Sequence, residues 1–389
     1  MTTLGPIELD QLGATLRQRG LDGWLVYDFH ELNPIARRAL SVSGMLTRRL
    51  FLWMPAVGPP RLLIHRIDLT VVTDFPGELD VYTTWEDLHH RLAGLVRGRR
   101  IAMEMSPENA VPYLDLVPAG VVELLTRLGA SLVPSAPLVT QFTARWSAAE
   151  IADHRQAAEA IAAIARNTVG QVVREVGTVT ELDVRGRVVE ALSAAGLEWS
   201  EPPIVAFGAN AANPHYEPRA HTERKLEAGD VVLLDLWARR SPNTVWADQT
   251  WMGFAGGEPS DEVARVWEAV RDARDAVVER LRVSSRSGER LTGTDLDATA
   301  RTLVAGRGYG NAFIHRTGHS ITLDLHGWGP HLDDFETHDT REFLVGTGFS
   351  VEPGVYLQGR FGVRSEINVV LGAEGPLVTP AAPQTELIV

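Results

Sequence analysis

The sequence predicts a two-domain protein of the α/β (α+β) class. The chain has 389 residues, which is long for one compact core. Its first part alternates short apolar strands with short helices, whereas a long Ala-rich helix and β-rich segments follow. We therefore expect a smaller domain at residues 1–143 and a larger one at residues 144–389.

The first domain shows strand and helix patterns in turn. GWLVYD (23–28), RLFLWMP (49–55) and RLLIHR (61–66) are typical of strands, and the turn signal VGPP precedes the last of them. TWEDLHHRLAGLVRG (84–98) has helical spacing and ends in Gly, and RIAMEM (100–105) is a further predicted strand.

The second domain begins with a helix signal. Ser147, followed three residues later by Glu150, forms a capping box and predicts a helix from about residue 148 to 175. Three more segments have helical patterns, and the tail is β-rich, with the runs GFSVEPGVYL and GVRSEINVVLG.

Composition excludes several classes of function. The net charge is -13, which argues against nucleic acid or an anionic membrane as the main partner. No apolar run is long enough to span a bilayer, and the N-terminus has no signal-peptide pattern. Cysteine is absent, which excludes disulfides and a catalytic thiol. We expect a cytoplasmic protein.

The segment HRTGHSITLDLHG contains three histidines and an acid, at His315, His319, Asp324 and His326. These residues could be metal ligands, acid/base groups or surface residues. The sequences on both sides are β-like and there is no HExxH motif, so we do not expect the histidines to lie on a helix.

Two acids interrupt neighbouring apolar strands. Asp235 lies in GDVVLLDLW and Asp248 in TVWADQTWMGF, which together predict a hairpin. A two-residue loop at Ser241 and Pro242 would place the two acids opposite each other on one face. Burying two like charges is costly unless a cation lies between them. Either acid alone would more often be solvated or stabilise a turn.

The tail repeats this pattern. Glu352 lies in FSVEPGVYL and Glu366 in VRSEINVVL, each flanked by apolar residues. A single such acid is usually an edge residue facing water. Four of them together with a histidine suit a pair of divalent cations such as Mn, Fe, Co or Zn.

These residues resemble the pita-bread metallopeptidases, the family of methionine aminopeptidase, aminopeptidase P and prolidase, with creatinase as a metal-free relative. The resemblance covers nearly all of the second domain and, weakly, the creatinase-type first domain. It implies a pita-bread catalytic domain and two divalent metal ions, of which the sequence does not set the identity. The implied ligands, in the family's order of Asp, Asp, His, Glu and Glu, are Asp235, Asp248, His319, Glu352 and Glu366.

The same resemblance implies further site residues. His215 in NPHYEP and His326 fall on positions that contact the substrate and the tetrahedral intermediate, and Glu352 is also the implied proton-transfer group. His315 and Arg364 fall on substrate-binding positions of the aminopeptidase P and prolidase branch. Without the resemblance, Arg364 would more often be a structural residue or one that orients the ligands.

The sequence departs from the family pattern near the substrate. Thr322 replaces the usual Gly of the G-H-x-[IL]-G motif, and Gly327 replaces the acid after the second histidine. Both changes put proline specificity in question. The acidic segment at 333–339 is expected to be mainly a solvated loop, with a role as an entrance or lid as a minority alternative.

The resemblance implies an enzyme, a metalloaminopeptidase that hydrolyses the N-terminal peptide bond of peptides, with Xaa-Pro or broader specificity. A metal-free creatinase-like hydrolase and a non-catalytic peptide-binding protein are the alternatives, but both would be expected to lose ligands. A peptide substrate and a homodimer or higher homo-oligomer are the expected partners.

Overall fold

The computed structural model describes residues 3–42 and 44–389. The chain forms two compact units, Met1–Thr143 and Ala144–Val389. Both units combine helices with β-sheets, which confirms the predicted α/β (α+β) fold class. No helix in the described ranges has the combination of length and apolarity that crossing a bilayer requires.

The first unit contains a mixed six-stranded sheet. Its strands are β1 (Thr3–Leu4), β2 (Ile7–Glu8), β3 (Gly23–Asp28), β4 (Leu50–Pro55), β5 (Arg61–His65), β6 (Glu78–Tyr82), β7 (Arg100–Met103) and β8 (Ser131–Pro134). Its helices are α1 (Leu9–Gln18), α2 (Pro34–Ala39), α3 (Trp85–Val96), α4 (Ala119–Arg127) and α5 (Ala136–Phe142).

The six strands lie in the order β6-β5-β4-β3-β7-β8, and β1 pairs with β2 separately. Strand β4 runs antiparallel to both neighbours, and the remaining pairs of the large sheet are parallel. The predicted strands and the predicted helix of this unit are confirmed, with their ends shifted by one or two residues. Apolar side chains of β3, β4 and β7 pack against α3 in the core.

The second unit contains the longer helices and several antiparallel sheets. Its helices are α6 (Ala148–Val172), α7 (Glu181–Ala194), α8 (Asp261–Ser287) and α9 (Gly293–Gly306). Its strands are β9 (Ile204–Phe207), β10 (Val231–Ala238), β11 (Ala247–Phe254), β12 (Ser320–Ile321), β13 (Gly348–Val351), β14 (Gly354–Leu357), β15 (Phe361–Arg364), β16 (Ile367–Gly372) and β17 (Gly375–Thr379).

The strands form three sheets, ordered β11-β10-β9, β12-β13-β16-β17 and β14-β15. Helix α6 starts at the predicted capping box, in which Ser147 and Glu150 bond each other's backbone N–H. Its Ala- and Val-rich face packs on one side of β10 and β11. Helix α8 and α9 contribute to a second core on the other side. The three-stranded sheet is therefore covered on both faces.

The hairpin of β10 and β11 corrects one sequence expectation. Asp235 pairs with Thr250, and Trp237 pairs with Asp248, so the two acids are diagonal neighbours. The prediction that they stand directly opposite, around a two-residue loop, is wrong, because residues 239–246 form a longer connection. The offset is two residues, an even number, so both acids still project from the same face.

Candidate metal centre and active site

The candidate site lies where strands of different sheets meet. Asp235 and Asp248 project from β10 and β11, and His319 immediately precedes β12. Glu352 lies between β13 and β14, and Glu366 lies between β15 and β16. Residues far apart in the chain are therefore brought to one place by strand ends and by a buried strand face.

Short distances connect these side chains. His319 Nε2 lies 3.4 Å from Asp248 Oδ2 and 3.5 Å from Glu352 Oε1. Potential ligand atoms of Asp248, His319 and Glu366 all lie within 4.8 Å of one another. Asp235 belongs to the same cluster, since its charge raises the pKa of Glu366. All five residues predicted as ligands thus come together in the structure.

The orientation of His319 suits a ligand. Its Nδ1 lies 3.2 Å from the carbonyl oxygen of Ser320, which can only accept a hydrogen bond. Nδ1 therefore carries the proton, and Nε2 presents its lone pair to the acids. Burial lowers the pKa of His319 to about 4, so the ring is neutral near pH 7.

Close backbone packing holds His319 in place. Its N–H donates to Ser350 Oγ at 2.9 Å, and the same hydroxyl donates to Glu352 Oε1 at 3.1 Å. At Gly318, an added Cβ would lie 2.1 Å from the carbonyl oxygen of Ser350. Only glycine permits this approach, which aligns His319 with Glu352.

The buried acids of this chain differ in whether both of their carboxylate oxygens accept hydrogen bonds. Both oxygens of Glu181 are filled, because the N–H groups of Phe207 and Arg224, the amide of Asn210 and the Tyr216 hydroxyl all donate to them.

The site acids differ from Glu181. Asp235 Oδ1, Asp248 Oδ1 and Glu366 Oε1 are buried, and no donor in the described ranges bonds them. Unsatisfied buried carboxylate oxygens are costly, and a cation would satisfy them. One imidazole and several carboxylates also suit divalent transition metals. The residues present therefore fit a metal site.

The electrostatics of the cluster agree with this fit. Burial raises the pKa of all four carboxyl groups above the ordinary range. For Glu366, the charges of Asp248 and Glu352 raise the pKa further. A divalent cation would reverse this repulsion and keep the acids ionised.

Arg364 contacts the acid cluster directly and through Thr250. It is buried, and its guanidinium forms an ion pair with Asp235 and donates to Thr250 Oγ1 at 2.9 Å. Thr250 in turn donates to Glu366 Oε2 at 2.9 Å. These contacts orient two of the predicted ligands, which is one of the two roles considered for Arg364. A direct contact between Arg364 and substrate stays a prediction.

His315 lies beside this network. It is not on a helix, as predicted, and its Nε2 lies 2.8 Å from the Tyr356 hydroxyl. Arg364 Nη1 lies 3.4 Å from the same hydroxyl. Burial and the charge of Arg364 lower the pKa of His315 to about 3, so it is neutral near pH 7. Its predicted role in substrate binding remains a prediction.

His326 and His215 lie at the accessible side of the site. The ring of His326 stands edge-on to that of His319, with centroids 4.3 Å apart. His319 lowers the pKa of His326, because a second positive charge beside it would be repelled, and His215 is close enough to lower it further. Both His215 and His326 are exposed. The structure therefore brings these two predicted site residues together, next to the implied ligand His319.

The sequence interpretation missed Asn368, which fixes the peptide of Asp248. The N–H of Asp248 donates to Asn368 Oδ1 at 2.9 Å, and Asn368 Nδ2 donates to the carbonyl of Asp248 at 2.8 Å. Strand β11 is the edge strand of its sheet, so Asn368 replaces a missing strand neighbour. A polar residue in the apolar strand INVVLG was the available signal.

The two departures from the family pattern contact each other. Thr322 is buried, and an added Cβ at Gly327 would lie 2.7 Å from both Thr322 Cγ2 and Thr322 Oγ1. Gly327 N–H also donates to the carbonyl of Ser320 at 2.7 Å. Thr322 therefore requires glycine at position 327, next to His326.

The acidic segment at 333–339 is only partly a solvated loop. Asp333 and Asp339 are fully buried, which corrects the expectation for these two residues. Asp333 accepts three backbone N–H bonds, and Asp339 pairs with Arg341 at 2.6 Å. These contacts explain their burial, since each charge has its own partners. Asp334 and Glu336 remain exposed.

Known proteins resemble this chain along its length. The probable dipeptidase PepE of Mycobacterium tuberculosis is 27% identical over 384 residues, which is 97% of this chain and 94% of that protein. The Xaa-Pro dipeptidase of Lactobacillus delbrueckii subsp. lactis is 34% identical over 179 residues, 46% of this chain and 44% of that protein.

Solved structures agree with the described fold. The dipeptidase PepE from Mycobacterium ulcerans superposes with a TM-score of 0.76 at 25% identity, covering 97% of this chain and 96% of that one. A recombinant prolidase from Thermococcus sibiricus has a TM-score of 0.69 at 25% identity, covering 97% of each chain.

The fold and the buried acid cluster define a pita-bread peptidase, and the chain is thus a hydrolase. The sequence model of metallopeptidase family M24 matches residues 152–373, more than half of the chain. The protein belongs to metallopeptidase family M24, and this membership implies a divalent metal.

Proposed function

We propose that this protein is a dinuclear-metal-dependent aminopeptidase that hydrolyses the N-terminal peptide bond of short peptides. Residues 144–389 form the catalytic domain, and residues 1–143 form the creatinase-type domain. The observation that carries the proposal is the cluster of three buried acids and the partly buried Glu352 around the neutral His319, with three oxygens that lack a donor in the described ranges. The likeness to a dipeptidase and an Xaa-Pro dipeptidase supports it.

In this proposal, Asp235, Asp248, His319, Glu352 and Glu366 hold two divalent ions of the Mn, Co, Zn or Fe type. When bound, such ions polarise a carbonyl group and lower the pKa of water.

The remaining steps belong to side chains. Glu352 accepts a proton from the attacking water and passes it to the leaving nitrogen. His326 and His215 each donate a hydrogen bond to the scissile amide or to the developing oxyanion. A neutral imidazole has one N–H to donate, and the neighbouring His319 lowers the pKa of His326. His315 and Arg364 complete the substrate side of the site.

Specificity is proposed to be Xaa-Pro or broader. The named relatives include both a dipeptidase and an Xaa-Pro dipeptidase. The altered motif, in which buried Thr322 contacts Gly327 next to His326, favours a relaxed or different preference from strict Xaa-Pro cleavage.

A metal-reconstitution assay tests the proposal. Purified protein is treated with EDTA, then supplied with Mn, Co, Zn or Fe(II) and given Xaa-Pro dipeptides, other dipeptides and Xaa-Pro-Yaa tripeptides. We expect metal-dependent release of the N-terminal residue. Failure to cleave any peptide with any of these metals would refute the proposal.

Two matched variants show whether the acid cluster binds the metal. Glu366→Gln removes one charge from the unsatisfied cluster, so the metal-free variant should melt at the same or a higher temperature than wild type. Its rise in melting temperature on adding metal should be largely lost. Glu181→Gln disrupts a fully bonded buried acid instead, so it should lower the melting temperature and keep the metal response.

We also propose a homodimer or higher homo-oligomer, as the resemblance implies, and a cytoplasmic location, as expected from the composition. Sedimentation of the full chain tests the oligomeric state, and a monomer at micromolar concentration would contradict it.

A further inference from the structure

Trp237 stands in the wall of the acid cluster. It follows Asp235 by two residues on β10, so both side chains project from the same face. On the neighbouring strand it pairs directly with Asp248. Trp237 therefore lies next to both aspartates, near the end of β10 that leads into the hairpin connection.

Apolar packing joins Trp237 to the segment that carries His326. Trp237 is only 9% exposed and forms a cluster with Trp146, Trp246 and Ile321. Leu325, which directly precedes His326, packs against the same cluster. Trp237 therefore neighbours Asp248 and belongs to the cluster against which the segment proposed to contact substrate packs.

The indole N–H groups of this cluster are not alike. Trp146 Nε1 donates to the carbonyl of Ile321, and Trp246 Nε1 donates to the carbonyl of Leu323, both at 2.9 Å. Trp237 Nε1 is buried, and the described part of the chain offers it no acceptor. A buried donor without a partner destabilises the folded protein, so a bound acceptor here would be favoured.

We propose that Trp237 is a substrate-specificity residue whose Nε1–H donates to an oxygen of the bound peptide, with its ring forming an apolar wall. The acceptor is a peptide carbonyl or the terminal carboxylate, which share the same chemistry. The inference rests on the proposed function, because it places the peptide beside Asp235 and Asp248.

Trp237→Phe tests this role, since it keeps an aromatic ring and removes the donor. The KM for a cleaved dipeptide should rise roughly three- to tenfold, with a smaller change in kcat. An unchanged KM would overturn the proposal.

Two substrates distinguish the acceptor. If the indole bonds the terminal carboxylate, the effect of Trp237→Phe should be smaller with the dipeptide amide, which keeps a carbonyl acceptor but lacks the charge. If it bonds a peptide carbonyl, the acid and the amide should respond equally.

Trp251→Phe is the matched control. Trp251 lies on β11 and packs in the core on the opposite face, and its Nε1 donates to Gln249 at 2.9 Å. This variant loses a made hydrogen bond, so it should be less stable and keep the wild-type KM.

A spectroscopic readout separates this inference from the proposed function. In protein with ¹⁵N-labelled tryptophan, the signal that disappears in Trp237→Phe belongs to the Trp237 indole. Adding Gly-Pro to EDTA-treated protein should shift that signal. If the wild-type protein cleaves no peptide, the proposed function is refuted. The shift of the Trp237 indole signal then tests the inference on its own. An unmoved signal would count against it.

Discussion

The contact between Thr322 and Gly327 predicts strong energetic coupling next to His326. In Gly327→Ala the new Cβ would lie 2.7 Å from the Thr322 methyl and hydroxyl and 2.9 Å from its backbone nitrogen. Overpacking of this kind costs about 1–3 kcal/mol. Thr322→Gly removes a buried side chain and adds backbone freedom, which together cost about 2 kcal/mol.

The double variant should lose less than the sum of the two single variants. With the Thr322 side chain absent, the methyl group at position 327 loses its two shortest contacts and keeps the one with the backbone nitrogen, so the coupling should be about 1–2 kcal/mol. Gly327→Ala alone should also lower kcat/KM, because the strain falls next to His326. Unfolding in urea, followed by circular dichroism on metal-free protein, gives the free energies.

Additivity of the two substitutions within about 0.5 kcal/mol would refute this reasoning. Gly186→Ala is the control, since Gly186 lies inside α7 and an added Cβ there meets no atom within 4 Å. This substitution should stabilise the protein by about 0.5–1 kcal/mol and add independently to Thr322→Gly.

Three further predictions follow from buried polar groups. Asn368→Ala should cost about 2–4 kcal/mol in unfolding free energy, because it leaves the N–H and carbonyl of Asp248 unpaired. Calorimetry should show weaker metal binding, and unchanged metal affinity would contradict the positioning role. Burial lowers the pKa of His154 from 6.5 to about 4, so its contribution of about 3 kcal/mol is present above pH 6.5 and lost as the pH falls towards 4. Thermal unfolding of His154→Gln should show a weaker loss of stability over that range. Burial raises the pKa of Glu104 from 4.5 to about 7, so stability should fall by about 3 kcal/mol as the pH rises between these values. Glu104→Gln should flatten that fall, and an unchanged slope would exclude Glu104 as its source.

Local sequence patterns predicted the elements and the faces of the site residues. The two runs VVLLDLWA and ADQTWMGF, each containing one acid, and the hairpin that they predict were enough to place Asp235 and Asp248 on one face, because side-chain direction repeats every two residues. The register was mispredicted, because the connection at 239–246 is not a tight turn and its conformation depends on tertiary contacts. Trp246 and Arg239 in this connection contact the distant Leu323.

Residues that act through long-range contacts could not be predicted in this way. In the sequence, Thr250 and Asn368 are ordinary strand residues. Only the folded structure brings them into contact with Glu366 and Asp248. The free donor of Trp237 likewise depends on which carbonyl groups its neighbours occupy. The burial of Asp333 and Asp339 could not be predicted from the acidic run for the same reason, because their hydrogen-bond partners come together only in the folded loop.

The edge of strand β11 has a consequence for how the protein is made. Asp248 is bonded by Asn368, and Met252 is bonded in the same way by Gln384, which lie 120 and 132 residues further along the chain. The backbone N–H of Phe254 then donates to the carbonyl of Ile388. During synthesis, the hydrogen-bonding edge of β11 therefore stays unpaired until the ribosome has produced these later segments. An open edge is a template for pairing with other chains, so a delay or truncation before residue 384 exposes the nascent protein to aggregation before the proposed metal ligands can assemble.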